Sequence, residues 1–191
     1  MVPNAAGRLR SNVALIIIDV QKGFDDPRWG RRNNPEAEAN IAKLLDAWRR
    51  SKRPVFHVQH SSRLRDSPLS LRVAGHAIKD IVAPRGEPVI NKSVNSAFIG
   101  TDLEKRLRRS KIRTVVVTGL TTDHCVATTA RMAGNLGFDT YVVSDATATF
   151  DREGANGKRY TAEEVHAVNL ASLNQEFAKI VTTNALLVLV R

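Results

Sequence analysis

The sequence predicts an α/β fold in three layers, an open and mostly parallel sheet with helices on both faces. Short apolar runs rich in β-branched residues recur along the chain, as in strands that are buried on both sides. Segments with apolar residues at helical spacing lie between these runs. With 191 residues, 42% of them hydrophobic and 25% charged, the chain is expected to form one domain over residues 1–191.

The first half of the chain contains two predicted strands and one predicted helix. The continuous apolar run Val13–Val20 predicts the first strand, and Pro54–Gln59 predicts the second. Asn34 and Pro35 open a helix between them. Its apolar residues recur at helical spacing, at Ile41, Leu44, Leu45 and Trp48. Residues 61–98 are polar and irregular, and a segment of that length in a small domain is usually functional.

In the second half of the chain, predicted helices and strands alternate more regularly. The capping boxes Thr101–Glu104 and Thr161–Glu164 each predict the start of a helix, and the second helix is expected to run to about Ala178. A third helix is predicted from about Asp123 to Leu136, with a face of small residues. Three more strands are predicted, at Ile112–Thr118, Phe138–Ser144 and Ile180–Thr183, and a short apolar tail follows the last of them.

The net charge of +10 raises the question of a nucleic-acid partner. Basic residues cluster between Arg49 and Arg53 and again from Lys105 to Arg113. In the second cluster Leu103 and Leu107 recur at helical spacing, which turns the basic side chains toward solvent. No aromatic residues interleave with the charges. These observations favour solvated helix faces, and we expect no nucleic-acid partner.

Hydropathy and cysteine content indicate a cytoplasmic protein. No apolar run approaches the length of a membrane span, so no membrane partner is expected. The segment Met1–Asn12 lacks the apolar core of a secretory signal. Cys125 is the only cysteine, which excludes an internal disulfide and suits a reducing compartment. This lone thiol either packs inertly or takes part in chemistry.

Two residues stand out at predicted strand ends, where sites form in open α/β sheets. Asp19 follows three isoleucines, where a buried carboxylate is costly without a partner or a purpose. Cys125 falls in the first turn of the helix that follows Ile112–Thr118, where free backbone N–H groups can stabilise a thiolate or an oxyanion. The alternatives stay open at this point, because a single cysteine is often a buried apolar residue and a strand-end aspartate is often a cap.

Three segments, in order along the chain, share a recognisable pattern. Ile18–Phe24 contains Asp-x-Gln-x-x-Phe, Lys92–Phe98 joins a lysine to Ser-Ala-Phe, and Gly119–Val126 contains the cysteine. Together they resemble the isochorismatase-like superfamily, specifically its cysteine hydrolase branch, which includes nicotinamidases and carbamoylsarcosine-type amidohydrolases. The resemblance covers nearly the whole chain and implies the same three-layer fold.

The resemblance implies a catalytic triad of Asp19, Lys92 and Cys125. Asp19 would act as general base and then as general acid, and Lys92 would keep Asp19 ionised and favour the thiolate. Cys125 would attack a carbonyl carbon to form an acyl-thioester. The helix terminus and Lys92 are expected to lower the pKa of Cys125, against the opposing charge of Asp19. The family also places a cis peptide at Leu120–Thr121, with the N–H groups of Thr121 and Cys125 forming the oxyanion hole.

Two departures from relatives narrow the expected chemistry. True isochorismatases lack the cysteine, so the retained thiol points to an amide, carbamoyl or ureide substrate. Nicotinamidases bind a metal through an Asp-x-His pattern after the second strand, which is absent here. His57 and His60 are three residues apart on a strand and would face opposite ways, so both are interpreted as packing or supporting residues. We expect no metal and no cofactor.

Pocket residues are harder to assign. Phe24, Phe98 and His124 are candidates for substrate contact, each with core packing as an equal alternative. Trp29 and His166 could also reach the site, and His76 is interpreted as loop surface. The resemblance implies a homodimer or homotetramer.

The leading prediction is a cysteine hydrolase that cleaves a C–N bond of a small molecule. Two alternatives stay open. One is a vinyl-ether hydrolase on the same scaffold, and the other is a non-catalytic, basic binding protein with an inert or redox-sensing thiol. The combination of Asp19 with Lys92 favours the enzyme, because a thiol sensor requires neither.

Overall fold

A computed structural model describes residues 9–190 of the chain. Its central sheet has six parallel strands in the order β3-β2-β1-β4-β5-β8, and β6 and β7 form a separate antiparallel pair. The strands are β1 (Val13–Ile18), β2 (Val55–His60), β3 (Val89–Lys92), β4 (Thr114–Leu120), β5 (Asp139–Ala148), β6 (Arg152–Glu153), β7 (Arg159–Tyr160) and β8 (Lys179–Val181).

Helices cover both faces of this sheet, which confirms the predicted three-layer fold class. Helices α2, α3 and α4 pack on one face, and α1 and α5 pack on the other. The helices are α1 (Ala37–Arg50), α2 (Leu103–Arg109), α3 (Ala127–Asn135), α4 (Ala162–Leu173) and α5 (Thr183–Val190). Within residues 9–190, no helix combines the length and apolarity that a membrane crossing requires.

Strand β1 lies at the centre of the fold because both of its faces are buried. Ile16 and Ile18 point into the core beneath α2, α3 and α4, while Leu15 and Ile17 point into the core beneath α1. This alternation explains why the sequence shows a continuous apolar run rather than a polar–apolar one. The predicted apolar stripe of α1 is buried against the second core, and Trp48 Nε1 donates a hydrogen bond to the Val13 carbonyl at 3.1 Å.

The segment 61–98 is less irregular than the sequence indicates. It contains strand β3, which pairs with β2 and ends at Lys92, and two short 3₁₀ turns at Ala74–His76 and Asp80–Val82. The strand has only four residues and lies at an edge of the sheet, with alternate side chains exposed. An edge strand this short produces too weak a pattern to be detected from sequence.

The two predicted capping boxes have different outcomes. Thr161 and Glu164 form the complete box at the start of α4. The box at Thr101–Glu104 does not form, because Thr101 donates its hydroxyl to the Ala97 carbonyl and Glu104 pairs with Arg108.

The C-terminal elements also differ from the prediction. Helix α4 ends at Leu173 rather than near Ala178, because Gln175 adopts a left-handed φ of 67° and the chain turns back. The apolar tail is helix α5, and Asp145 accepts the Thr183 N–H at 2.8 Å at its start.

The basic clusters are partly neutralised by neighbouring acids. Arg49 pairs with Glu87, and Arg106 pairs with Asp102 on the exposed side of α2. Leu103 and Leu107 of the same helix are fully buried, as their spacing predicts. Most of the N-terminal segment Met1–Asn12, residues 1–8, lies outside the described residues. Cytoplasmic location, the single-domain assignment and the absence of a nucleic-acid partner stay predictions.

Gly119 allows the two central strands to meet next to Asp19. It has a φ of +117°, and a Cβ at this position would lie 1.9 Å from the Ile18 carbonyl oxygen.

We predict that Gly119→Ala lowers the free energy of unfolding by about 3 kcal/mol or more, through backbone strain and collision together. Gly137→Ala is the matched control, since its φ is +81° and its Cβ would meet no atom of the described residues within 4 Å. Its cost should be about 1–2 kcal/mol. Urea unfolding measures the free energy of unfolding of both variants. Equal losses in the two variants would show that the collision with Ile18 does not contribute.

Candidate active site

Three strand ends bring the predicted triad together. Asp19 directly follows β1, Lys92 ends β3, and Cys125 lies in the turn after β4. Lys92 Nζ lies 2.6 Å from Asp19 Oδ2 and 3.2 Å from Cys125 Sγ. The side chains of Lys92 and Asp19 are 0% exposed. A buried ammonium therefore bridges a buried carboxylate and the thiol.

The backbone of Asp19 is bent to aim its side chain into the site. Its φ of 51° is left-handed, a conformation that aspartate tolerates better than most residues. The Asp19 N–H still donates to the Val58 carbonyl of β2 at 2.9 Å, so the sheet continues up to the bend. Strained backbone of this kind is concentrated at functional sites.

His60 is a third neighbour of the ammonium. It is the residue of β2 that pairs in register with Lys92 of β3, and its Nδ1 lies 3.0 Å from Lys92 Nζ. His57 lies on the other face of β2, between residues of the opposite core, and is 1% exposed. The two rings thus face opposite ways, as their spacing predicts. His57 packs and His60 supports the site.

Gln21, the glutamine of the Asp-x-Gln motif, fixes the end of β2. Its side-chain oxygen accepts the His60 N–H at 2.8 Å, and its Nε2 donates to the carbonyls of His60 and His76 at 3.0 and 2.8 Å. His76 is half-buried, and its ring contacts Gln59 and Ser61. The interpretation of His76 as loop surface is therefore wrong, because its turn folds back onto β2.

Cys125 lies in a π-helical turn, Thr122–Val126, that leads into α3. The Leu120–Thr121 peptide bond is cis. The Thr121 carbonyl accepts the N–H groups of His124 and Val126 at 3.2 and 3.1 Å. Cys125 is 8% exposed, and its sulfur lies 3.9 Å from Oδ1 of Asn95, which is an exposed residue.

The turn is held in place by contacts that sequence reasoning did not predict. Asp123 accepts Arg152 Nε at 2.7 Å and the hydroxyl of Thr149. Thr122 Oγ1 lies 2.9 Å from Nδ1 of His166 on α4. His166 therefore supports the turn from its far side. Arg152 lies in β6 and Thr149 directly follows β5, and only the folded chain brings them to Asp123.

Burial controls the protonation of the site. It raises the pKa of Asp19 above the usual carboxyl range, although Lys92 acts in the opposite direction. Burial and then the Asp19 charge raise the pKa of the Cys125 thiol to about 12, against the lowering effect of Lys92. The expectation of a lowered thiol pKa is therefore wrong, because desolvation outweighs the helix terminus and the ammonium. The resting cysteine is a thiol at neutral pH.

One carboxylate oxygen of the site lacks a partner. In the described part of the chain, Asp19 Oδ1 is buried and makes no hydrogen bond, whereas Oδ2 binds Lys92. Unsatisfied buried acceptors are rare in native proteins and require an explanation. A carboxylate with a raised pKa and a free lone pair is suited to accept a proton.

A metal ion does not fit this group of side chains. Asp19, His60 and Cys125 each offer a ligand atom, and these atoms lie within 4.8 Å of one another. The Lys92 ammonium already contacts all three. A divalent cation placed among the same atoms would meet a fixed positive charge.

The candidate pocket residues have separate environments. Phe24 is 5% exposed and packs with Trp29 and Phe150, at ring-centroid distances of 5.2 and 6.1 Å. Phe98 is half-buried and stacks on Phe138 at 6.0 Å. The side chain of His124 is 55% exposed. Substrate contact by any of the three stays a prediction.

Comparisons with known proteins agree with the fold and the motifs. The sequence model of the isochorismatase domain family matches residues 13–185 of this chain. The isochorismatase family protein YrdC of Bacillus subtilis is 54% identical over 178 residues, which covers 91% of this chain and 94% of that protein. Nicotinamidase 3 of Arabidopsis thaliana is 27% identical over 189 residues, covering 91% of this chain and 86% of the relative.

A solved structure extends the agreement to the whole described fold. The crystal structure of an isochorismatase family protein from Chromobacterium violaceum superposes with a TM-score of 0.92 at 42% identity, covering 100% of this chain and 98% of its own. The resemblance inferred from the three motifs is thereby confirmed, and the chain belongs to the isochorismatase family.

Proposed function

We propose that the protein is a cysteine hydrolase that cleaves a C–N bond of a small molecule, an amide, carbamoyl or ureide, without a cofactor. The observation that carries the proposal is the buried contact of Lys92 Nζ with both Asp19 Oδ2 and Cys125 Sγ. Inert packing of the cysteine would not require two buried charges beside it. The similarity to a relative named nicotinamidase supports amide chemistry.

The first step is acylation of the thiol. Asp19 accepts the Cys125 proton, and the sulfur attacks the substrate carbonyl carbon as the proton leaves. Lys92 stabilises the negative charge that develops on the sulfur. The N–H groups of Thr121 and Cys125 donate to the carbonyl oxygen as it becomes an oxyanion. Asp19 then delivers its proton to the leaving nitrogen, the C–N bond breaks, and the acyl group remains on sulfur.

The second step is hydrolysis of the thioester. Asp19 is again ionised after the amine has left, and it removes a proton from a water molecule. The resulting hydroxide attacks the thioester carbon, the C–S bond breaks, and Asp19 returns the proton taken from water to the sulfur. In each cycle the thiol proton therefore leaves with the amine and is replaced by a proton from water, and Asp19, whose pKa is raised by burial like that of Cys125, carries both.

The intermediate gives a direct test. On incubation with a panel of small amides, carbamates and ureides, we expect a turned-over substrate to leave its acyl mass on the protein after rapid acid quenching. The adduct must map to Cys125, the only cysteine in the chain. Cys125→Ala should show neither adduct nor turnover. Turnover of these substrates that survives in Cys125→Ala would overturn the acyl-enzyme mechanism.

The pH dependence tests the roles of Asp19 and Lys92. Only ionised Asp19 can accept the thiol proton, so kcat/KM should fall as the pH drops through the pKa of Asp19. Lys92 lowers that pKa, and Lys92→Met should therefore move the acid limb upward by about one pH unit or more. Lys79→Met is the control, because its largely buried ammonium pairs instead with Asp25 and Glu38. An acid limb that stays in place in Lys92→Met would contradict the proposed coupling.

Chelation tests the absence of a metal. Exhaustive dialysis against EDTA should leave kcat/KM unchanged, because the Lys92 ammonium already contacts the three candidate ligand atoms. Activity that is lost on chelation and restored by zinc, manganese or iron would show that the proposed metal-free chemistry is wrong.

A further inference from the structure

The ammonium of Lys92 has as many neighbours as it has protons. A lysine ammonium carries three N–H donors and no acceptor. In the described part of the chain, its three contacts are Asp19 Oδ2 at 2.6 Å, His60 Nδ1 at 3.0 Å and Cys125 Sγ at 3.2 Å. Each donor therefore has one acceptor, and the direction of the N–H that reaches the sulfur depends on where the other two point.

The contact also defines the protonation of His60. Because an ammonium can only donate, Nδ1 must be the acceptor, and the neutral ring carries its proton on Nε2. Burial, Lys92 and His76 lower the pKa of His60 to about 4, and the Val94 carbonyl acts weakly in the opposite direction. At neutral pH the ring is therefore uncharged and keeps its lone pair on the lysine.

The backbone of His60 is fixed in position by Gln21 and by the sheet. Gln21 binds both the N–H and the carbonyl of His60, at 2.8 and 3.0 Å. His60 and Lys92 are register partners on adjacent parallel strands, so their side chains leave the same face of the sheet side by side. The sheet therefore fixes the backbone of His60 next to that of Lys92.

The site contains a competing acceptor for the lysine. Within residues 9–190, Asp19 Oδ1 is buried and has no hydrogen-bond partner, next to the Oδ2 that already binds Lys92. An ammonium released from His60 could turn two N–H groups onto the two carboxylate oxygens and draw away from the sulfur. We infer that His60 is a positioning residue, which holds the Lys92 ammonium on Cys125 and prevents its collapse onto Asp19. The positioning role of His60 depends on the proposed function only where an effect on turnover is predicted.

The test measures thiol reactivity, which needs no substrate. With the only cysteine as target, the rate of alkylation by iodoacetamide at pH 8 reports how well the thiolate of Cys125 is stabilised. His60→Leu fills a similar volume without an acceptor, and we expect its alkylation rate to fall about tenfold. His60→Asn places a side-chain oxygen near the position of Nδ1 and should recover most of that loss.

A double-mutant cycle separates positioning from access. If His60 acts through Lys92, adding His60→Leu to Lys92→Met should change the alkylation rate by less than about twofold. His57→Leu is the matched control on the other face of the same strand, and it should alkylate at the wild-type rate. A wild-type rate in His60→Leu, or an equal loss in the Lys92→Met background, would overturn the inference.

Turnover provides the second measurement once a substrate is known. His60→Leu should lower kcat about 10- to 100-fold with KM nearly unchanged, because His60 contacts the lysine and not the substrate. A rise in KM at constant kcat would instead make His60 a substrate-binding residue and overturn the positioning role. If no amide is turned over but the alkylation results hold, the proposed function fails and the role of His60 stands.

Discussion

The buried pair of Lys92 and Asp19 is the interaction on which the geometry of the site depends. Both side chains are fully excluded from solvent, and an isolated charge in that position would be strongly unfavourable. Removing one partner of such a pair typically costs about 3–5 kcal/mol, because the other charge is left uncompensated. The pair persists because the sheet brings Cys125 and His60 to the same ammonium and satisfies its remaining donors.

The backbone around this pair is arranged to make it possible. Asp19 is turned into the site by a left-handed φ, and Gly119 on the neighbouring strand leaves room for the Ile18 carbonyl directly before the turn. Gln21 then fixes the end of β2 from the other side. These features lie side by side at the carboxyl ends of β1, β2 and β4. Local strain and close approach are tolerated there because the surrounding sheet over-determines the conformation.

The same burial that makes the pair costly also defines its chemistry. A solvent-exposed cysteine at a helix start would be a stronger acid than usual, but Cys125 is a weaker one because desolvation and Asp19 outweigh Lys92. Asp19 is correspondingly a stronger base. In the resting state the proton is therefore on the sulfur, and Asp19 Oδ1 accepts no hydrogen bond from the residues that the structure describes.

The sequence by itself determined the fold class and the apolar stripe of α1, because apolar periodicity is a property of neighbouring residues. Local motifs likewise identified Asp19, Lys92 and Cys125 as candidates. Only the tertiary structure decided how Lys92 reaches Asp19, since β3 is a four-residue edge strand whose existence depends on pairing with β2. That pairing also places His60 on the lysine. The protonation of Cys125 likewise depends on burial, which arises when distant segments close over the thiol and which no local pattern records.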